Sequence, residues 1–225
     1  MGKTKYSDHE REKIISAFIS AAREIIETSG LDGLSIRRVA ALTGYSSATI
    51  YIYFPNVDVL VTMACISYLE SYCRAIAADM DKMRSSYDAH MHTWELFCRF
   101  AFDRPQIFYH LFYVPHTVEL EETLRDYYKL YPRQLEDIEG PVREMLLGGC
   151  LEDRCMKVLW PLAQERGISR EDCEMINDIS ICYFRKLLEM RCNNSPQGRD
   201  KEVLMAKMSK CLVFLVECHP QNGCN

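Results

Sequence analysis

The segment LSIRRVAALTGYSSATIYIYFPNVDVL, residues 34–60 of this 225-residue chain, contains the local signals that decide the fold. Ser35 can cap a helix over Ile36–Thr43, because its hydroxyl can accept from the unpaired amides of the first turn. Gly44 can end that helix, since glycine adopts the left-handed backbone of a C-terminal cap without steric cost. These signals predict a short helix followed by a tight turn.

A second short helix is predicted directly after this turn. Ser46 can cap a helix over residues 47–54, and Pro55 stops it because proline cannot continue a helix. Two helices this short, joined by about three residues, match the helix-turn-helix motif, in which the second helix enters the major groove of DNA. The segment therefore predicts a DNA-binding head.

The second helix has one face for packing and another for reading DNA. At about 100° per residue, Ile50 and Phe54 share the face that we expect to pack inward. Ser47, Ala48 and Tyr51 lie on the opposite side. Small residues there allow a close approach to base edges, and a tyrosine can reach a thymine methyl group or a phosphate.

A third stripe of this helix, formed by Thr49 and Tyr53, places hydroxyl groups toward the sugar-phosphate wall. The competing interpretation is that Tyr51 and Tyr53 pack on a neighbouring part of the protein, as aromatic stripes at helical spacing commonly do. The capped ends, the glycine turn and the proline stop favour the DNA-reading interpretation.

Three segments of the chain resemble the tetracycline-repressor (TetR) family of bacterial transcriptional regulators. They are AAREIIETSGLDGLSIRRVA (residues 21–40), LTGYSSATIYIYFPNVDVL (residues 42–60) and, more weakly, DRPQIFYHLF (residues 103–112). We include the N-cap Ser35 among the predicted DNA-binding residues. The resemblance implies base or phosphate contacts from Arg37, Ser47, Ala48, Thr49, Tyr51 and Tyr53.

The charge of the head is balanced, which is unusual for a nucleic-acid-binding surface. Residues 1–60 carry seven Lys or Arg and seven Asp or Glu, so the formal net charge of -5 falls on the rest of the chain. Local positive charge comes from Lys3 and Lys5, on an arm that could equally be a solvated tail, and from Arg37 and Arg38.

One position departs from the family pattern. Similar proteins usually have a lysine that touches a phosphate at the start of the fourth helix, where this chain has Val57. Together with the balanced charge of the head, this departure predicts a modest intrinsic affinity for DNA.

The composition is typical of a cytoplasmic globular protein without disulfide bonds. Hydrophobic residues make up 48% of the sequence, which is ample for a sizeable core. We expect no signal peptide and no membrane span, because no apolar run approaches the necessary length. Eleven cysteines in such a chain indicate reduced thiols.

Apolar spacings of three and four predict helices almost throughout, so the expected fold class is all-α. A three-helix head over residues 1–55 would bind DNA, and a larger helical body over residues 56–225 would bind ligand and dimerise. A fourth helix is expected from near residue 56 to as far as residue 84. The other predicted helices cover residues 8–29, 88–102, 105–113, 117–131, 141–151, 154–166, 170–192 and 199–218.

The last two predicted helices carry apolar residues on two sides, so one side can face the body and the other a second copy of the chain. Two such helices from each subunit would form a four-helix bundle, and the resemblance also implies a dimer. The alternative is an ordinary monomeric core. The residues that we expect at the dimer interface are Ile179, Tyr183, Leu187, Leu204, Cys211 and Leu215.

Aromatic residues are dense between residues 80 and 160, which suits a pocket for a flat or hydrophobic ligand. Core packing is the competing explanation for any single one of them, and the expectation of a cavity follows chiefly from the family resemblance. The predicted ligand-binding residues are Trp94, Phe97, Phe108, Phe112, Tyr127 and Trp160.

Metal-binding and catalytic patterns are weak. His90 and His92 would project about 200° apart on a helix, and Cys150 and Cys155 do not have a recognised ligand spacing. Neither CxxC nor HExxH occurs. We therefore expect no metal, no cofactor and no enzymatic activity, while the many thiols leave a redox sensor open.

The combined prediction is a cytoplasmic regulator that binds a palindromic operator in double-stranded DNA as a homodimer. A small hydrophobic or aromatic effector, whose identity the sequence does not reveal, would release this repressor from DNA. An activator is the alternative among DNA-binding proteins. From another class, the alternative is a small-molecule or thiol-redox sensor with weak or lost DNA binding.

Overall fold

The chain is helical almost throughout. A computed structural model describes residues 7–136 and 138–217, and within those ranges it contains twelve α-helices and no β-strand. This confirms the all-α prediction. Lys3 and Lys5 of the predicted basic arm, and Cys218 at the end of the last predicted helix, lie outside the described residues.

The helices follow the chain in the predicted order. The region predicted as the head contains α1 (Asp8–Ser29), α2 (Ile36–Thr43) and α3 (Ser47–Tyr53), and the rest of the chain is the predicted body. The body begins with α4 (Val57–Ile66), α5 (Leu69–Ala78), α6 (Ser86–Asp103), α7 (Pro105–Tyr113) and α8 (Leu120–Leu130). It ends with α9 (Gly140–Leu147), α10 (Leu151–Glu165), α11 (Arg170–Cys192) and α12 (Lys201–Glu217).

The predicted caps form the helix-turn-helix. The Ser35 hydroxyl accepts from the backbone N–H of Arg38 at 3.4 Å, and the Ser46 hydroxyl accepts from that of Thr49 at 3.1 Å. Gly44 ends α2 with φ of 73°, a left-handed conformation that favours glycine. The local signals in the sequence are therefore sufficient to define both short helices.

The prediction of one long fourth helix is wrong, because this stretch divides into α4 and α5 at Ser67 and Tyr68. The Ser67 hydroxyl donates to the backbone carbonyl of Ala64, a bond that commonly bends or interrupts a helix. The combined stretch Val57–Ala78 is long and apolar enough to cross a membrane, yet 67% of its most apolar 18-residue segment is buried inside the protein. That burial is typical of a core helix.

Packing around α4 joins the head to the body. Helix α1 packs against α2 and α4, and α4 also packs against α7 and α8. Buried side chains form one continuous core from α1 to α12, and a smaller cluster lies between α10, α11 and the end of α12. A shift of α4 would therefore affect both its contact with α1 and its contacts with α7 and α8.

Candidate DNA-binding surface and effector pocket

The inner face of α3 is anchored in the core of the head. Ile50 and Phe54 are fully buried, which confirms the predicted packing face. The ring of Phe54 lies 6.2 Å from that of Phe18 on α1, in an edge-to-face arrangement. This contact holds the end of α3 against α1.

The outer face of α3 is open to solvent. Ala48 is exposed, the Tyr51 side chain is 56% exposed, and the Ile52 side chain is 71% exposed. Ile52 follows Ala48 by four residues, so helical spacing places the two on one stripe. We did not include Ile52 among the predicted contacts, although this spacing was a usable signal.

Three other predicted contacts are half-buried at the sides of α3. Ser47 lies at its first turn, and Thr49 shares a 2.9 Å hydrogen bond with the Ser46 hydroxyl. The Tyr53 ring packs 6.2 Å from the ring of Phe18. Thr49 and Tyr53 therefore support the shape of the head as well as flanking its exposed face.

The two neighbouring arginines of α2 have different surroundings. Arg38 donates to the Gly33 carbonyl at 2.7 Å and to the Ser29 hydroxyl at 2.9 Å, so it braces α2 against the end of α1. Arg37 is exposed, and no carboxylate of the described residues lies within 4 Å of it. Arg37 is thus the cation available to a phosphate. The Ser35 hydroxyl is engaged in capping α2.

The junction after α3 holds the head against a distant loop. Asn56 caps α4 by accepting from the Val59 N–H at 3.0 Å, and its side-chain amide donates to the Thr117 hydroxyl at 2.9 Å. Val57 begins α4 and is exposed. A lysine at position 57 would therefore be accessible to a phosphate.

Four of the six predicted ligand-binding residues meet in one aromatic cluster. Phe97 is at its centre, with ring centroids 6.0 Å from Trp94, 5.5 Å from Phe108 and 5.6 Å from Phe112. Phe184 of α11, which we did not predict, lies 5.1 Å from Phe97. These rings pack mainly on one another, as core packing predicts.

The other two predicted ligand-binding residues lie elsewhere. The Tyr127 ring on α8 lies 4.7 Å from the Tyr131 ring at a tilt of 41°, and Trp160 on α10 lies beneath the guanidinium of Arg170 at 4.9 Å. Trp160 belongs to the smaller cluster near the end of α12. Neither has a ring contact with the cluster around Phe97 in the part of the chain that the structure describes.

A narrow apolar cavity borders the aromatic cluster. Its volume is about 20 Å³, and it is lined by residues of α5, α6, α9 and α10 that include Thr93, Trp94 and Arg154. The Thr93 hydroxyl and the Trp94 indole N–H are buried without a hydrogen-bond partner among the described residues. Unsatisfied buried polar groups are costly, and here two of them belong to residues that line an otherwise apolar cavity.

Arg154 contributes a buried positive charge to this cavity. Its side chain is 2% exposed, and it donates to the backbone carbonyls of Leu146 and, at 2.7 Å, Gly148. Its guanidinium also lies 5.2 Å from the centre of the Phe112 ring. No carboxylate within the described ranges lies within 4 Å of it. Sequence reasoning missed Arg154 because arginine is usually exposed.

The predicted dimer seam is only partly on the surface. Leu187 and Leu204 are buried within the subunit itself, so the interface prediction is wrong for these two residues. Ile179 is exposed, whereas Tyr183, Cys211 and Leu215 are half-buried. The error arises because both sides of these helices are apolar, and spacing alone does not say which side faces the body.

Exposed apolar residues identify the side of α11 and α12 that faces away from the body. They are Met175 and Ile179 on α11, and Val203 and Phe214 on α12, with Phe214 62% exposed. Helices α11 and α12 pack against each other. We call these four residues the outer apolar face.

The described cysteines are free thiols in mostly apolar surroundings. Burial raises the pKa of Cys73 to about 11, and it also raises the pKa of Cys150 to about 11. Burial raises the pKa of Cys65 and Cys98 further. Protonated thiols are poor nucleophiles, so burial makes these four cysteines less reactive than an ordinary exposed thiol.

The fold and the exposed α3 define the protein as a helix-turn-helix DNA-binding protein. A family model described as bacterial regulatory proteins of the tetR family matches residues 18–62, from the middle of α1 into α4. Residues 18–62 therefore match the helix-turn-helix region of the TetR family of bacterial regulators.

Two solved structures are similar over nearly their whole length. Thermus thermophilus FadR, described as a TetR-family transcriptional repressor in complex with lauroyl-CoA, has a TM-score of 0.58 and 17% identity, covering 93% of this chain and 100% of that one. RolR in complex with resorcinol has a TM-score of 0.51 and 15% identity, covering 97% and 99%. At these identities the likeness shows a shared fold. A search of curated protein sequences finds no match.

Proposed function

We propose that this regulator is a repressor that binds a palindromic operator as a homodimer and is released by a small effector. The observation that carries the DNA-binding part is the exposed stripe of Ala48, Tyr51 and Ile52 on a capped helix whose other face is buried. A helix held in this way can enter the major groove with its side chains already positioned.

The proposed DNA contacts divide by chemistry. Ala48, Tyr51 and Ile52 would meet base edges and thymine methyl groups, while Arg37 would meet a phosphate. Ser47, Thr49, Tyr53 and the capping Ser35 would line the edges of the contact, where their hydroxyls or backbone amides can approach the sugar-phosphate chain. This arrangement gives few ionic contacts and a correspondingly weak dependence on salt.

A homodimer is proposed on the outer apolar face. Exposed Met175, Ile179, Val203 and Phe214 would be covered by the same residues of a second copy, as two-fold symmetry requires. Half-buried Tyr183, Cys211 and Leu215 would lie at its margin. The two α3 helices would then meet major grooves about 34–36 Å apart, which doubles an otherwise small interface.

The effector is proposed to bind beside the aromatic cluster. Its body would be apolar or aromatic, to match Trp94, Phe97, Phe108 and Phe112, and it would carry an anionic group toward Arg154. A guanidinium that is buried without a carboxylate favours an anionic ligand, because its positive charge has already been removed from water in the folded protein. The fold relatives bind a fatty acyl-CoA in one case and a phenol in the other, which is compatible with such a pocket. Tyr127 and Trp160 would not contact the effector.

Release from DNA would follow from opening this cluster. A volume of about 20 Å³ holds at most about one water molecule, so an effector must separate the helices around it. Helix α4 packs on α7, which carries Phe108 and Phe112. Displacement of α7 would therefore move α4 and the head that precedes α4 in the chain. The spacing between the two α3 helices would then change.

The experiment that tests repression is a gel shift with the DNA upstream of the protein's own coding region, followed by footprinting. We expect protection of a palindrome with two half-sites one helical turn apart or a multiple of it. Protection without two-fold symmetry would contradict the dimeric mode. A transcription assay on the same DNA separates a repressor from an activator.

The effector chemistry is tested with matched pairs of compounds on the wild-type protein. Dodecanoate and dodecanol share an apolar chain, and benzoate and benzyl alcohol share a ring, but only the acids carry a charge for Arg154. We expect the acids to raise the melting temperature more and to weaken operator binding. Equal effects of acid and alcohol would remove Arg154 from the proposal.

A further inference from the structure

Three side chains from separate parts of the chain meet where α4 begins. Asp58 lies in the first turn of α4, His110 lies in the last turn of α7, and His116 lies in the loop after α7. One potential ligand atom from each lies within 4.8 Å of the other two. The two imidazole rings are 5.2 Å apart and nearly perpendicular.

The hydrogen bonds of His116 direct a lone pair toward the carboxylate. Its Nε2 lies 3.1 Å from the backbone carbonyl of Leu111, so this nitrogen carries the proton and donates it. In the neutral ring Nδ1 is then the nitrogen without a proton, and it lies 3.7 Å from Oδ1 of Asp58 and 3.2 Å from the Thr62 hydroxyl. An imidazole that donates its other nitrogen to a backbone carbonyl is the usual arrangement of a metal-ligating histidine.

Asp58 is held in a similar way. Its Oδ2 accepts from both the backbone N–H and the hydroxyl of Thr117, each at 2.9 Å, which leaves Oδ1 toward His116. The two bonds from Thr117 therefore orient the Asp58 carboxylate.

His110 supplies the observation that these hydrogen bonds do not explain. Its Nε2 is buried and has no hydrogen-bond partner among the described residues. A purely structural network of Asp58, Thr117 and His116 would not require a second imidazole with an unsatisfied nitrogen.

We propose that Asp58, His110 and His116 form a binding site for one divalent first-row transition metal ion, with Zn²⁺ as the best match. Two imidazoles and one carboxylate are ligands that zinc prefers, at bond lengths of about 2.0–2.2 Å. Donor atoms within 4.8 Å of one another reach such distances by small side-chain movements. An open groove of about 500 Å³ reaches this cluster at His116 and is also lined by Val114 and Glu119.

The ion would join the start of α4 to α7 and the following loop. Asp58 is only a few residues after α3, so the bound ion would fix the head relative to the body. This consequence rests on the proposed function as a DNA-binding regulator, whereas the metal site itself does not. Occupancy of the site would change operator affinity, and operator DNA would change metal affinity by the same factor.

Cobalt substitution of the untagged, reduced full-length protein tests the site. Co²⁺ in a site of nitrogen and oxygen ligands gives visible d–d absorption without the intense thiolate charge-transfer band that a cysteine site would give. We expect one equivalent per chain with this spectrum, displaced by Zn²⁺. A thiolate band, or no saturable binding, would overturn the proposal.

Substitutions assign the ligands. His110→Gln and His116→Gln should each weaken binding at least about 100-fold, since even residues that only support a ligand contribute about 10–100-fold. His92→Gln is the matched control, because His92 also contacts two carboxylates, at 2.8 Å to Asp79 and 3.5 Å to Glu95. Circular dichroism identifies a variant that fails to fold, and Asp58→Asn then provides a third test. Loss of metal from His92→Gln, with retention in His110→Gln, would overturn the assignment.

Operator binding is then measured with and without Zn²⁺. We expect a change of about 5–150-fold in wild-type protein, in the range of ordinary allosteric coupling, and no change in His116→Gln. Metal binding that leaves wild-type operator affinity unchanged would contradict the coupling while leaving the site in place. Failure of DNA binding under all conditions would instead contradict the proposed function.

Discussion

Thr117 donates both its backbone N–H and its hydroxyl to one oxygen of Asp58, each at 2.9 Å, although 59 residues separate the two in sequence. The same hydroxyl accepts from the Asn56 side chain, which caps α4. The loop after α7 therefore holds the first turn of the helix that leaves the DNA-binding head. A movement of α7 can therefore be transmitted to α4 through the side chains of Thr117, Asp58 and Asn56.

Thr117→Val should loosen this connection without changing the shape of the residue. The variant keeps the backbone bond to Asp58 and loses both hydroxyl bonds, so we expect a loss of about 1–2 kcal/mol in the free energy of unfolding. Hydrogen exchange should accelerate at the first amides of α4 and remain unchanged in α11. Uniform acceleration throughout the protein would show that the bonds stabilise the fold generally, without a specific role at the junction.

Tyr51→Ala should separate DNA binding from stability. Because Tyr51 is exposed, its removal should weaken operator binding by about 1–3 kcal/mol, the value of a base-edge contact, with little change in melting temperature. Ile50→Ala is the matched control from the buried face, and it should cost about 2–5 kcal/mol of stability. A Tyr51→Ala protein that melts early but binds DNA normally would reverse the assignment of the two faces.

Val57→Lys should restore a phosphate contact. Val57 is exposed at the start of α4, so the lysine needs no rearrangement of the core. We expect tighter binding to all DNA sequences, and a slope of log affinity against log salt that is steeper by about one unit. An unchanged slope would indicate that position 57 does not reach the backbone of the duplex.

Phe214→Glu should separate the two subunits. Phe214 is largely exposed in one subunit, so the charge costs little there, but covering it in a dimer costs several kcal/mol in each copy. Sedimentation should show folded monomers with weak operator binding. Val114→Glu, at an exposed apolar position outside α11 and α12, should remain dimeric. A dimeric Phe214→Glu protein would place the interface elsewhere.

Because His90 is buried, the free energy of unfolding should decrease in mild acid. Burial lowers the pKa of its ring from 6.5 to about 4, and neither ring nitrogen has a partner among the described residues. Between pH 6.5 and 4 the unfolded chain therefore binds a proton that the native protein does not. Stability should fall by about 3 kcal/mol as the pH decreases through this window.

The matched variant for this effect is His90→Leu. It removes the titrating group and the unsatisfied nitrogens, so its free energy of unfolding should depend less on pH between 6.5 and 4. At neutral pH it should be at least as stable as the wild type. Urea titrations across the window measure both quantities, and identical pH profiles for the two proteins would exclude His90 as the cause.

Most of the helices could be predicted from sequence because their ends have local signals. The bounds of α1, α2, α7 and α11 agree with the prediction, and each has a capping residue or a proline at its start. The break between α4 and α5 was missed, since neither glycine nor proline occurs there and the apolar pattern continues. Two hydroxyl-bearing residues, Ser67 and Tyr68, are a weak signal in comparison.

The candidate sites were less predictable because they depend on distant residues. The stripe on α3 follows from helical spacing alone, apart from Ile52. No spacing relates Asp58 to His110 and His116, or Arg154 to the Trp94 cluster, since packing between helices brings them together. The buried positions of Leu187 and Leu204 were also beyond prediction, because two apolar sides of a helix look alike until the body is in place.

The close packing of the rings around Phe97 has a consequence for how sensitively the protein responds. If the effector enters only when these rings separate, its apparent affinity is its intrinsic affinity reduced by the fraction of molecules in the open state. The response threshold is then set by the cohesion of the core as much as by contacts to the effector. Substitutions that fill or loosen this region would shift the effector concentration needed for induction in opposite directions, with the DNA-reading helix untouched.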